Sequence, residues 1–381
     1  MEAPLFVLSV LTLVILAAWL TRSSVSELIE WFQCRLRLVF APAMCRSLQL
    51  KDCVVQRTMV AGLPVELVWA NAQKTPHRVG TGDATPPPGP LIILIPGFPG
   101  VASLYADFLC TLSTSSSCAA VCISWCGHHE LPAEFCGSAF TTHLSIEAHG
   151  DFMAAIVQHL RSLPWVTKIV LVGHSLGCWY GTRALEIVDT DTADASVAVV
   201  CLLCPVLQNL NMVHRALRLR PRLQVARSVG VPSVIQRMAL VLPFTMATML
   251  HALWWMRGKA RLERKEWQLF LVVVKHLQLG VVGRGVATFL DAFSVVGPMS
   301  ARLAPMRKKG SNVAIHYALN DGWTPPEVSA SLSSEGHLPA ARCRFHAMPH
   351  GIVTDAVAAQ KAAAMIGFDI ATLLNEESER S

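Results

Sequence analysis

The stretch KIVLVGHSLGCWYGTRALE, residues 168–186, decides how this chain folds. Its apolar first part is typical of a buried strand, and its last part has the apolar spacing of a helix. Between them, Gly173, His174, Ser175, Leu176 and Gly177 fit the pattern GxSxG. In that pattern the chain turns so sharply that a side chain at either glycine would clash with backbone, while the serine hydroxyl projects outward. The stretch therefore predicts an elbow that presents Ser175 as a nucleophile.

Short apolar runs recur on both sides of this stretch. They are LIILIPG, CAAVCISW and SVAVVCLLC, and the runs NVAIHYALND and CRFHAMPHG follow near the C-terminus. Segments with helical spacing, such as HLSIEAHGDFMAAIVQHLRSL, separate several of them. Apolar strands that alternate with amphipathic helices indicate an α/β fold, a mostly parallel sheet with helices on both faces. Upstream, CVVQRTMV and LPVELVWA flank Ala61 and Gly62, which predicts a hairpin.

A serine nucleophile needs a base that removes its proton and an acid that orients the base. In a fold with this elbow, the acid and the histidine follow the serine in that order, each just beyond a strand. Asp321 follows NVAIHYALN, and His350 follows CRFHAMP. We therefore predict Ser175, Asp321 and His350 as the catalytic residues.

Other acids and histidines fit this order less well. Asp189, Asp191 and Asp194 lie close to the helix after the serine, Asp291 lies in an insertion, and Asp355 follows His350. His346 lies within an apolar strand, where a hydrogen-bonded core histidine is the ordinary interpretation. His174, His128 and His129 are predicted to be structural or to line a pocket.

An ester carbonyl that gains negative charge is stabilised by backbone N–H donors, which form an oxyanion hole. One donor is predicted at Leu176, directly after the serine and at the start of a helix. The other is predicted in the loop after LIILIP, which continues Gly97, Phe98, Pro99, Gly100. Proline has no N–H, so Phe98 is the predicted donor, and Gly97 lets its backbone turn inward.

The composition predicts contact with lipid. Of the 381 residues 52% are hydrophobic and only 15% are charged, and the mean hydropathy of +0.44 is high for a soluble enzyme. Residues 1–22 carry no charge from Ala3 to Leu20, about the shortest length that spans a bilayer. Glu2 and the lack of a small-residue cleavage site favour an uncleaved anchor over a signal peptide. Arg22, Arg35 and Arg37 follow it, which favours a cytosolic body.

A basic, apolar insertion interrupts the α/β pattern at residues 206–309. From Pro205 to Lys309 there are 17 Lys and Arg residues against three Asp and Glu. Basic charge beside apolar sequence suits an anionic lipid surface better than nucleic acid, and a buried helical cap with a solvated basic face is the alternative. The run from Met238 to Met256 is long enough to span a membrane, but Pro243 and His251 favour a helix or hairpin lying in its surface.

The cysteines are predicted to be reduced and buried, because they lie in apolar segments rather than in a short secreted framework. Two clusters allow a metal site as an alternative. They are the pair Cys201 and Cys204, and the group Cys122, Cys126, His128 and His129. Neither has a second ligand pair at zinc spacing, so core cysteines are favoured.

The motifs IPGFPG with YADFL, ISWCGHHE, GHSLGCWYGTRAL, LNDGWTP and PHGIV resemble the lipid droplet-associated hydrolase family, a branch of the serine α/β-hydrolases. The resemblance runs from about Leu91 to the final helix, although the family usually has asparagine at the position of Phe98. It implies an α/β-hydrolase domain over residues 45–375, with the insertion 206–309 as a helical cap. It also implies an esterase at the lipid droplet or endoplasmic reticulum surface that acts on sterol esters or acylglycerols.

The sequence therefore predicts a membrane-associated serine hydrolase that needs no metal or organic cofactor. Its predicted partners are a lipid ester and a lipid droplet or membrane surface, not nucleic acid. Two alternatives remain open: an acyltransferase that uses the same three residues, and a lipid-surface tether in which they are vestigial.

Overall fold

The computed structural model describes residues 53–70, 87–129, 144–188, 196–207, 210, 213–230, 281–296, 312–319, 321–324, 343–354 and 356–380. The chain divides into two units, and all of these residues except Gly230 belong to the unit Leu50–Val229 with Val281–Ser381. The predicted anchor at residues 1–22 and the run Met238–Met256 lie outside the described residues.

Between residues 89 and 203 the described strands and helices alternate, as predicted. The strands are β1 Cys53–Val60, β2 Leu63–Ala70, β3 Gly89–Ile95, β4 Ala119–Ile123, β5 Val166–His174, β6 Ser196–Leu203, β7 Val313–Ala318 and β8 Cys343–His346. The helices are α1 Ala106–Ser116, α2 Ile146–Arg161, α3 Leu176–Val188, α4 His214–Ser228, α5 Val281–Val295 and α6 Ala356–Arg380.

The strands form one sheet of eight in the order β1-β2-β4-β3-β5-β6-β7-β8. The predicted hairpin is confirmed: β1 and β2 pair antiparallel, and both Ala61 and Gly62 have a positive φ in the turn between them. The β2–β4 pair is also antiparallel, and the pairs from β4 through β8 are parallel. The carboxyl ends of β3, β5, β7 and β8 therefore lie at the same edge of the sheet.

Each face of the sheet carries its own apolar core. On one face Leu91, Ile93 and Ile95 of β3 pack with α2 and α3. On the other face Ile92 and Leu94 pack with α1 and α6. Side chains of a strand alternate between faces, so a strand covered on both sides is apolar throughout. This explains why LIILI is a continuous apolar run.

Within the described residues, the segment Val357–Glu379 of α6 is long and apolar enough to cross a membrane by length and composition alone. Half of its most apolar window is buried inside the protein. Ala363, Ile366 and Ile370 belong to the core shared with α1. In the described structure, α6 therefore packs as a helix of the protein core.

Two described helices, α4 and α5, come from the insertion. Helix α5 is fixed to the rest of the unit through Asp291, whose carboxylate accepts the Ile146 N–H at the start of α2 over 2.7 Å. Helix α4 is tied to α5 by Arg220, whose guanidinium lies 5.6 Å from the centre of the Phe293 ring.

Candidate active site

The elbow predicted around Ser175 is present between β5 and α3. Ser175 has a φ of 53°, a left-handed conformation that is strained for any residue with a side chain. Its backbone is held on both sides: Ser175 N–H donates to Leu203 O over 2.8 Å, and its carbonyl accepts the N–H groups of Cys178 and Val206, each over 3.1 Å. The strain is thus maintained by hydrogen bonds to neighbouring elements.

Both glycines of the elbow are required by close backbone contacts, as predicted. A Cβ on Gly173 would lie 2.7 Å from Cys178 Cα, and one on Gly177 would lie 2.2 Å from Ile95 O. Gly177 therefore lets the start of α3 approach the end of β3.

The structure brings Ser175, His350 and Asp321 together at the carboxyl ends of β5, β8 and β7. Ser175 Oγ lies 2.8 Å from His350 Nε2. His350 Nδ1 lies 2.6 Å from Asp321 Oδ2. A carboxylate accepts, so Nδ1 carries the proton, and Nε2 is left to accept the serine proton. This arrangement is the one a serine nucleophile and its base require.

Asp321 is oriented and kept ionised by its neighbours. Its Oδ1 accepts the Trp323 N–H over 2.8 Å, and its Oδ2 accepts the Thr324 hydroxyl as well as His350. Burial acts to raise the pKa of Asp321, but the hydrogen bonds from His350, Thr324 and Trp323 and the charge of His350 outweigh burial and lower it. A negative Asp321 can stabilise a positive His350.

The loop after β3 also comes close to Ser175. A Cβ on Gly97 would lie 2.7 Å from Ser175 Cβ. Gly97 is thus needed for close approach, a stronger constraint than the inward turn predicted from the sequence. Gly100 has a φ of 77°, and a Cβ there would overlap the Trp125 ring.

Three carbonyl groups of this loop each accept a separate hydrogen bond. Trp125 Nε1–H donates to Pro96 O over 3.0 Å, and His128 Nδ1 lies 2.6 Å from Pro99 O. Gly97 O accepts the Gly100 N–H over 2.7 Å. By contrast, the N–H groups of Phe98 and Leu176, the two predicted oxyanion donors, have no hydrogen-bond partner within the described ranges. As far as the described residues go, both N–H groups can donate to a ligand oxygen.

The aromatic side chains of this edge form a cluster beside the triad. Phe98 packs against Phe289 of α5 at 5.5 Å between ring centres, and Phe289 packs against Trp323 at 5.6 Å. Trp323 lies 6.3 Å from the His350 ring. The Phe98 side chain keeps 44% of its surface exposed. We call Phe98, Phe289 and Trp323 the aromatic cluster.

Two of the rival residues, Asp291 and His346, have other roles in the structure. Asp291 accepts the Ile146 N–H, as described above. His346 Nε2 is hydrogen-bonded to His316 Nδ1 over 2.9 Å. Asp189, Asp191, Asp194 and Asp355 lie outside the described residues.

The histidines near the site, predicted from the sequence to be structural or to line a pocket, are buried. His128, His129 and His174 are each less than 4% exposed. Burial lowers the pKa of His128 well below its usual value, aided by His149, and burial also lowers that of His129. These side chains are neutral at physiological pH. What the sequence did not reveal is that His174 contacts both His350 and Tyr105.

Neither cysteine cluster considered in the sequence forms a group at metal-ligand distance within the described residues. The group found there is Cys204, Asp321 and His350, whose ligand atoms all lie within 4.8 Å of one another. Asp321 and His350 are already hydrogen-bonded to each other, and His350 also contacts Ser175. Burial raises the pKa of the Cys204 thiol, and Asp321 raises it further, so this cysteine is a neutral neighbour of the acid.

Comparison with known proteins places these observations in a family. A family model described as lipid-droplet associated hydrolase matches residues 88–353. That range is more than half of the chain and includes Phe98, Ser175, Asp321 and His350. The match confirms the resemblance found in the sequence motifs. No curated protein matches the chain.

Solved structures with a similar fold cover nearly the whole chain at low identity. The epoxide hydrolase VrEH1 from Vigna radiata is 13% identical and has a TM-score of 0.51. The match covers 86% of this chain and 100% of the epoxide hydrolase chain. The haloalkane dehalogenase DbeA from Bradyrhizobium elkani USDA94 is 12% identical, with coverages of 87% and 100% and a TM-score of 0.52. The dehalogenase DatA from Agrobacterium tumefaciens C58 is 12% identical, with coverages of 84% and 97% and a TM-score of 0.51. These similarities show the α/β-hydrolase fold, as predicted.

Proposed function

Because this chain belongs to the lipid-droplet associated hydrolase family, we propose that it is a serine hydrolase that cleaves carboxylic esters of lipids. The observation that carries the proposal is the continuous contact from Ser175 Oγ to His350 Nε2 at 2.8 Å and from His350 Nδ1 to Asp321 Oδ2 at 2.6 Å. Around a serine in a strained elbow, these distances support acyl transfer through a covalent intermediate.

In the proposed mechanism, Ser175 Oγ attacks the ester carbonyl carbon while its proton passes to His350 Nε2. The carbonyl oxygen becomes negative and accepts the N–H groups of Phe98 and Leu176. When the tetrahedral intermediate collapses, the ester C–O bond breaks and the alcohol leaves with the proton from His350. Water then attacks the acyl-enzyme with His350 as base, and this releases the fatty acid and restores Ser175. Apart from the ester and the attacking water, each step uses side chains and backbone of this chain.

The proposed substrates are sterol esters or acylglycerols. The aromatic cluster supports an ester with a large apolar group, because its rings lie beside His350 and offer apolar contact area. The partly exposed Phe98 ring has surface available for such a group.

The proposed place of action is a lipid droplet or endoplasmic reticulum membrane, with the hydrolase domain in the cytosol. The family description supports the droplet. Helix α4 supports an anionic lipid surface, because Arg218, Arg222 and Arg227 are exposed on the same helix as the exposed apolar residues Leu217 and Val225.

The test is covalent labelling of the detergent-solubilised full chain with a fluorophosphonate, which reacts only with an activated serine. We expect the wild type to be labelled and Ser175→Ala not to be labelled. His350→Ala should lose labelling, whereas His346→Ala, which removes the rival histidine, should keep most of it. A folded wild type that resists labelling would refute the hydrolase proposal and favour the lipid-surface tether.

A further inference from the structure

His174, the residue before the proposed nucleophile, contacts the loop that carries the proposed base. Its Nε2 lies 2.8 Å from the carbonyl oxygen of His350. A carbonyl oxygen can only accept a hydrogen bond, so Nε2 of His174 carries a proton and donates it. His350 is thereby held through its backbone by His174 and through its side chain by Ser175 and Asp321.

The other nitrogen of the same ring contacts the hydroxyl of a tyrosine, Tyr105. His174 Nδ1 lies 2.6 Å from Tyr105 Oη. Burial lowers the pKa of His174 to about 3, and nearby His350 lowers it as well, so the ring is neutral at physiological pH. With the proton on Nε2, Nδ1 must accept, and the Tyr105 hydroxyl must donate to it.

Tyr105 in turn binds the loop that carries the predicted oxyanion donor. Its Oη accepts the Gly97 N–H over 3.0 Å, in the peptide unit next to the one that contributes the Phe98 N–H. Tyr105 is 1% exposed and His174 is 3% exposed, so water does not compete for these bonds. The donors and acceptors run in one direction from Gly97 through Tyr105 to His174, and from His174 to His350. We call these three hydrogen bonds the Tyr105–His174 bridge.

We infer that Tyr105 and His174 are positioning residues for the reaction proposed above, because the bridge fixes the oxyanion loop and the His350 loop relative to Ser175. The inference rests on the proposed function. Neither residue touches the reacting atoms. Each loop is also held by bonds outside the bridge: Trp125 Nε1–H to Pro96 O, and Ile352 N–H to His350 O over 3.0 Å. Loss of the bridge therefore shifts the loops and leaves the fold in place.

Removal of the Tyr105 hydroxyl tests the contribution of the bridge by itself. A second buried tyrosine, Tyr317, provides a matched control. Tyr105→Phe deletes the acceptor of Gly97 and the donor to His174. Tyr317→Phe deletes a hydroxyl that is equally buried but has no hydrogen-bond partner within the described residues. We expect fluorophosphonate labelling of Ser175 in the full chain to slow by about 10- to 100-fold in Tyr105→Phe, as for small misplacements of reacting groups. Labelling of Tyr317→Phe should proceed at the wild-type rate.

Two replacements of His174 separate the effect of its hydrogen bonds from the effect of its size. His174→Leu removes both polar atoms, whereas His174→Gln keeps an N–H donor that can reach the His350 carbonyl. We expect His174→Leu to lose labelling by a similar factor and His174→Gln to recover part of it. In hydrolysis of a short-chain ester, both losses should appear in kcat, with KM within about twofold, because the bridge does not contact the substrate.

Hydrogen–deuterium exchange of the same variants tests the bridge without relying on catalysis. We expect Tyr105→Phe and His174→Leu to raise amide exchange at residues 97–101 and 350–354, and Tyr317→Phe to raise it at neither. If Tyr105→Phe labels at the wild-type rate, or if exchange rises at neither loop, the inference is overturned. If the wild type is not labelled but the two bridge variants raise exchange at both loops, the proposed function is refuted, whereas the structural role of the bridge is supported.

Discussion

A Cβ on Gly177 would lie 2.2 Å from the carbonyl oxygen of Ile95. The first turn of α3 therefore meets the end of β3 through backbone alone. Because Ser175 precedes that turn and Phe98 follows β3, the contact sets the distance between the proposed nucleophile and the loop that carries the proposed oxyanion donor.

Gly177→Ala is expected to abolish fluorophosphonate labelling. The added methyl group overlaps Ile95 O and Pro96 O, which are backbone atoms and cannot rotate away. The overlap should lower the free energy of unfolding by about 1–3 kcal/mol and push α3 away from β3. Urea unfolding and labelling of the full chain measure the two effects.

Gly181→Ala is the matched control on the same helix. A Cβ there would lie 3.6 Å from Leu171 Cδ2, an ordinary contact. Alanine also favours a helix interior by about 1 kcal/mol over glycine, so this variant should label normally and be at least as stable as the wild type. Equal behaviour of the two variants would contradict the role given to Gly177.

The elements around Ser175 could be predicted because local sequence determines them. The continuous apolar runs predict the parallel strands, and the order of Ser175, Asp321 and His350 along the chain predicts which side chains meet. The sheet order could not be derived, since nothing local in CAAVCISW places β4 between β2 and β3. The contact of Tyr105 with His174 was also missed, because it joins residues 69 positions apart whose types are common in any core.

Phe98→Ala is expected to separate the backbone and side-chain roles of this residue. The variant keeps the N–H proposed for the oxyanion hole but removes a ring from the aromatic cluster. Labelling by a small fluorophosphonate should stay within about threefold of wild type. The kcat/KM for a long-chain ester should fall by about 10-fold or more, the value of one buried aromatic contact.

Phe345→Ala is the control for that experiment. Phe345 is 47% exposed on β8 and stacks on Tyr317, away from the aromatic cluster. Its removal should leave both assays unchanged. A parallel loss of labelling and hydrolysis in Phe98→Ala would argue that the loop, not the ring, had been disturbed.

Acid should destabilise the protein through His316. Burial, together with the charges of His346 and Arg344, lowers the pKa of His316 to about 3, while Asp369 Oδ2 lies 3.6 Å from its Nε2. Between pH 6.5 and 3 the unfolded state binds a proton at this site that the folded state does not. The free energy of unfolding should therefore fall as the pH falls, by up to about 1.4 kcal/mol per pH unit.

His316→Gln should make urea unfolding less dependent on pH across that window, because glutamine does not titrate. The exposed His159 on α2 provides the comparison, and His159→Gln should keep the wild-type slope. A His316→Gln variant with the same slope as wild type would show that other groups account for acid sensitivity.

Neutralising the arginines of α4 should weaken binding to anionic membranes. Arg218, Arg222 and Arg227 are exposed, and each contributes about 1 kcal/mol at an anionic surface. The triple change to glutamine should lower partitioning of the full chain onto phosphatidylserine vesicles by about 100-fold at low salt. Binding to phosphatidylcholine vesicles should not change, and neither should binding of the control Lys361→Gln on α6. Equal loss on both vesicle types would exclude the charge mechanism.

The bond from Asp291 to Ile146, together with Arg220 on Phe293, has a consequence for which parts of the chain form the proposed active site. The two ends of the intervening stretch, α4 before residue 231 and α5 after residue 280, are joined to each other, and α5 is joined to the core. The described contacts therefore hold α5 where it places Phe289 against Trp323, so one wall of the proposed active site comes from the insertion.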